Sequence, residues 1–167
     1  EMQCRQEEGI AWMRASPENW ASESFLKVHN WWHLALYYFD IGDFDAVLSL
    51  FDGEMGGGNS PVVLDLVDSS ALLWRLTLRR VSVGDRWQPV ADGWAAVAAE
   101  SAYSVNDMHA VMAFTGAGRR DAALAVVAAQ KAAMEGPGDN SAFTREVGHA
   151  ATRAMLAFAD ADYAEAV

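Results

Sequence analysis

His33-Leu-Ala-Leu-Tyr-Tyr-Phe-Asp-Ile-Gly42-Asp-Phe-Asp45-Ala46-Val-Leu48 aligns without a gap on His109-Ala-Val-Met-Ala-Phe-Thr-Gly-Ala-Gly118-Arg-Arg-Asp121-Ala122-Ala-Leu124. The second stretch stands 76 positions after the first, with His109 against His33. That interval is too long for one helix pair and suits two. A fixed internal period marks a helical-repeat architecture, in which each unit hides its apolar face only against its neighbours.

The rest of the chain reads as helices to match. Ile10, Trp12 and Met13 fall on one side with Met2 in a helix over about 2–16, which Ser16-Pro17 ends. A second helix over about 26–41 carries His29, Trp32, Leu36 and Phe39 as a stripe; Gly42 closes it and Asp43 caps the next, through Phe51. Gly56-Gly-Gly58 reads as a flexible connection, and Ser60-Pro61 as the start of a helix to about Arg80. Trp87, Val90, Trp94 and Val97 keep helical spacing, with Pro89 weakening the first turn. Asn106-Asp107 caps a helix through Phe114, a partner runs from Arg120 to Met134, and a last helix covers about 141–160. Asp162 to Val167 reads as the start of one more. No segment alternates with period two, so the fold class is all-α.

Antiparallel pairs with a small residue at the crossing, then Gly and an aromatic, follow the tetratricopeptide pattern. Trp31, Leu34, Ala35, Tyr38, Gly42, Phe44 and Phe51 supply it, with Ala35 admitting close approach and Tyr38, Phe44 and Phe51 filling the space between the two helices. Units stand further apart than the ~34-residue period usual for this repeat. The expected architecture is one tetratricopeptide-like domain over 1–167, a right-handed superhelix of about four helix pairs. Both ends look cut, so the chain is expected to be a piece of a longer solenoid whose open faces favour dimerisation.

Composition narrows the function classes. Hydrophobic residues make up 52% and charged residues 21%, as in a folded protein. The net charge is −11, from 23 acidic and 12 basic side chains, with no cationic cluster to displace counterions from a duplex, so nucleic acid is not an expected partner. A basic peptide would be favoured by the field. No run of about 18 apolar residues exists to span a bilayer, and no secretory leader is visible. Cys4 is the single cysteine, which fits a reducing, cytoplasmic setting and leaves no disulfide.

The run His29-Asn-Trp-Trp-His33-Leu-Ala-Leu-Tyr-Tyr with Gly42-Asp-Phe-Asp-Ala resembles the tetratricopeptide repeat protein 38 family. Leu64-Asp-Leu-Val-Asp68-Ser, Trp74-Arg-Leu, Val81-Ser-Val-Gly-Asp-Arg-Trp87-Gln and Asn106-Asp-Met-His109 agree with it in order. The glycine-rich link at Gly56 and the alanine-rich stretch after Gly118 depart from it. The resemblance implies a soluble repeat protein about twice this length or more, and it brings no settled activity.

His29 and His33 are one helical turn apart, a spacing at which two imidazoles can share a divalent metal, with Asp65, Asp68 or His109 as further ligands. Asn30 stands where zinc proteases place a Glu. If His29 and Trp32 face a groove, an aligned register adds Asp65, Asp68 and Met108 to it. The competing reading is a structural network, with Asp68, Ser69 and Ser70 accepting from His33 or a Trp N–H. The expected function is a protein or peptide scaffold binding through His29, Trp32, His33, Leu36, Asp65, Asp68, Met108 and His109. No catalytic residue, metal or cofactor is assigned to it. The alternative is a small-molecule or metal site, enzyme-like, built from His29, His33, Asp68 and His109.

Overall fold

A computed structural model describes residues 3–22, 24–97 and 103–167. Its regular elements are helices, with no strand among the described residues. In chain order they are α1 (Gln6–Ala15), α2 (Glu18–Ala21), α3 (Lys27–Ile41), α4 (Phe44–Asp52), α5 (Val63–Leu78), α6 (Trp87–Val97), α7 (Ser104–Gly116), α8 (Arg120–Ala133), α9 (Asp139–Phe143) and α10 (His149–Ala159). The chain divides into two compact units, Glu1–Arg86 and Trp87–Val167.

In the first unit α3 is central and packs against α1, α2, α4 and α5. Its core includes Leu34, Ala35, Val47, Phe51, Leu66 and Leu72, all fully buried. Removing each larger side chain from water contributes about 1.5–3 kcal/mol. Gly42 ends α3 at φ +80°, where a residue without Cβ is unstrained, and the Asp43 carboxylate accepts from Ala46 N–H to open α4. Phe51 is fully buried in α4. Phe44 meets Phe39 of α3 edge-on at 5.6 Å, and the Tyr38 hydroxyl accepts from Arg14 Nε of α1 at 2.5 Å. Arg86 forks onto both oxygens of Asp52 at 2.7 and 2.6 Å.

Two boundaries differ from expectation. α1 faces α3 through Gly9, which lies against the Tyr37 ring, and through Met13 one turn later. Trp12 is about 100° round the helix from Met13, so it is 74% exposed rather than part of the buried side; Met2 lies outside the described residues. α5 begins at Val63, not at Pro61, because the Ser60 hydroxyl accepts from Val62 N–H at 3.1 Å and makes its own turn first.

In the second unit α7 packs against α6, α8 and α10. Trp87, Val90 and Trp94 are buried along α6, while Val97 is 41% exposed. Pro89 sits in the first turn of α6, where its missing N–H costs nothing, and a 3-10 turn at Gly84–Arg86 precedes it. α7 starts three residues earlier than a cap at Asn106 would place it. Ser104 N–H donates to Asn140 Oδ1 at 3.0 Å, and Asp107 is buried inside the helix instead of capping it. α9 runs into α10 through a π-helical turn, Thr144–Gly148. Beyond Asp160 the backbone makes turns, not a helix: Asp162 Oδ1 accepts from Glu165 N–H at 3.2 Å, a local bond that competes with helix formation.

The offset that joins His33 to His109 also joins helix starts. It carries Phe44, first in α4, onto Arg120, first in α8, and Val63, first in α5, onto Asp139, first in α9. Gly42 maps onto Gly118, which likewise has a left-handed backbone at φ +72°.

Candidate functional site

The i, i+4 spacing of an α-helix stacks His29 over His33 on one face of α3. Their ring centroids are 4.6 Å apart with planes at 83°, and the two Nε2 atoms stand 3.1 Å from each other. From α5, Asp68 meets the other side of His29: Nδ1 lies 3.0 and 3.2 Å from the two carboxylate oxygens. The Asp68 side chain is 4% exposed. Burial pushes its carboxyl above the ordinary value, opposed by the hydrogen bond and attraction of His29, while nearby Asp65 adds to the rise. A carboxylate this dry needs a donor, and His29 Nδ1–H is that donor.

The result is a chain of three groups, Asp68–His29–His33. The carboxylate fixes the His29 tautomer, as in hydrolytic triads, but the third position holds an imidazole, not a hydroxyl nucleophile. Such a chain can orient a nitrogen lone pair, share a proton, or coordinate an ion.

Trp32 forms the wall. It stacks on His29 at 5.4 Å and 15°, meets His33 edge-on at 5.0 Å, and carries the Arg75 guanidinium over its ring at 5.5 Å. Its neighbour Trp31 turns into the core against Trp20, 4.5 Å between centroids, so the two adjacent tryptophans occupy different faces as their spacing requires. Trp31 Nε1, Trp32 Nε1 and Ser69 Oγ have no hydrogen-bond partner among the described residues.

Asp65 stays outside this chain of three. It is buried beside Asp68 but is held by the Ser60 hydroxyl, which donates to it at 2.7 Å. Asp68 takes a bond from His29, and Ser70 donates to Leu66 O. Leu36 is half-buried further along α3. Met108 and His109 belong to α7 in the second unit, where His109 Nδ1 donates to Val105 O at 2.7 Å. Arg75 and Ser60 are not among the site residues expected from the sequence. Arg75 is seven residues after Asp68, two helical turns, and this spacing could have flagged it.

A second polar cluster lies within the second unit. Fully buried Gln130 donates to Asp107 Oδ2 at 3.2 Å and Thr152 Oγ1 at 3.1 Å. Elsewhere in this unit a cavity of about 230 Å³ is lined by Thr115, Gly118, Arg120, Leu156, Ala159 and Asp160. The ion pair of Arg120 with Asp160, at 2.5 Å, neutralises its charged wall. Among the described residues no group of three or more His, Cys, Asp or Glu side chains is placed to hold a metal ion, and no helix is long and apolar enough to cross a membrane. No protein-family model matches the chain, and no solved structure gives a significant match.

Proposed function

We propose that the chain is a tetratricopeptide-like helical-repeat module, a right-handed superhelix of the kind the tetratricopeptide repeat protein 38 family is built from, and that it binds a protein segment or peptide. One observation supports the reading: α3, a left-handed glycine, α4 and α5 recur at a constant spacing as α7, a left-handed glycine, α8 and α9–α10. Arrays of this kind offer a row of first helices to a ligand. On α3, Trp32 and Leu36 serve as apolar anchors and His29 as an orienting polar group. The overall charge of −11 favours a basic or amphipathic segment.

Selection from a displayed peptide library, followed by fluorescence anisotropy, tests this. Selected peptides are expected to be cationic, to bind more weakly as salt rises, and to lose about tenfold or more in affinity to Trp32→Ala at unchanged helicity. Peptides that bind equally well to Trp32→Ala, or a library that yields none, would remove α3 as the recognition surface.

A further inference from the structure

Two imidazole nitrogens on one helix face lie at ligand spacing, and one ring is already held in the tautomer that a metal requires. His29 Nδ1 faces both oxygens of Asp68, so its proton sits there and the Nε2 lone pair points away from the carboxylate. That Nε2 is 3.1 Å from His33 Nε2. With metal–nitrogen bonds of 2.0–2.1 Å, two ligands are about 3.3 Å apart in a tetrahedron and about 2.9 Å apart in an octahedron. The observed separation falls between these, within the range that two nitrogens on one ion span.

We propose that His29 Nε2 and His33 Nε2 form a bidentate site for a divalent first-row transition ion, with Asp68 as the outer carboxylate and water completing the shell. Imidazole pairs suit zinc, nickel or copper rather than magnesium or calcium. A carboxylate on the far nitrogen of a ligating histidine fixes its ring and raises its basicity. Trp32, stacked on one ring and edge-on to the other, limits the rotation of both. With two protein ligands the site is exchangeable and open to a third group, unlike a closed structural centre. Metal entry replaces the proton shared between the rings, and His33 then holds its proton on Nδ1. The inference does not require a bound peptide and stands apart from the scaffold reading.

The test is calorimetric titration of the untagged, metal-stripped 167-residue chain with zinc chloride and with nickel chloride near neutral pH. One equivalent should bind. Affinity should fall at least tenfold in His29→Ala and His33→Ala, and about 10–100-fold in Asp68→Asn. His109→Ala and His149→Ala, which alter the two other histidines, should bind as the unaltered chain does. Because truncation at His33 could disturb α3, histidine imidazole nitrogen NMR on the unaltered protein supplies a second readout. Zinc should move the Nε2 signals of His29 and His33 and leave His109 and His149 in place. No saturable uptake in the submillimolar range, or shifts confined to His109 or His149, would overturn the proposal.

Discussion

The indole of Trp87 occupies the space that a Cβ on Gly116 would need. Trp87 opens α6 and is 4% exposed, while Gly116 is the last residue of α7, so the two helices meet where one of them has no side chain. Alanine favours a helix over glycine by about 1 kcal/mol, yet Gly116→Ala should destabilise the protein by about 1–3 kcal/mol through overpacking. Gly118→Ala, in open space at φ +72°, should lose about 1–2 kcal/mol for backbone strain alone. Urea unfolding of both variants checks this. A neutral or stabilising Gly116→Ala would mean that α6 and α7 do not meet at Trp87.

Gln130 is the hub of the buried polar cluster in the second unit. Gln130→Leu conserves volume but removes the donor to Asp107 and Thr152, and should lower unfolding free energy by about 2–3 kcal/mol. Gln130→Glu should lower it further, since it sets a second carboxylate beside Asp107. If leucine is tolerated without loss in chemical denaturation, Gln130 does not hold the cluster.

His149 supplies a pH dependence with a definite sign. Burial lowers its pKa below 6.5, and the charges of Arg153 and Lys131 lower it further. Between the folded value and 6.5 the unfolded chain binds a proton that the folded chain does not, so stability falls as pH drops through that window. The carboxyls of Asp52 and Asp160, held low by Arg86 and Arg120, lose their contribution only below about 3.8 and do not interfere. Thermal melts stepped from neutral to mildly acid pH should show a steeper decline for the unaltered protein than for His149→Gln. Equal slopes would assign the dependence elsewhere.

Local signals account for most of what was legible beforehand. Gly42 as a helix stop and Asp43 as a cap each depend on residues within a turn or two, and each is where its spacing puts it. What failed was choice among equivalent options. Asp65 and Asp68 both stood within reach of α3, and the pairing turned on Ser60, whose hydroxyl takes Asp65 and leaves Asp68 to His29. Trp12 suited a buried stripe by spacing alone, but Gly9 set the face on which α1 packs. Asn106 and Asp107 had capping chemistry, but the buried demand of Gln130 draws Asp107 inside.

The π-helical turn at Thr144–Gly148 bears on the geometry of everything after it. Thr144, Gly148, Thr152 and Leu156 are buried in steps of four residues. A regular α-helix would let such a series drift by about 40° at each step. One wider turn takes up part of that drift and keeps the inward side nearly straight. Deleting a single residue there would rotate all of α10 by about 100° and bring Leu156 out to solvent, so this widened coil sets the phase of the whole terminal helix.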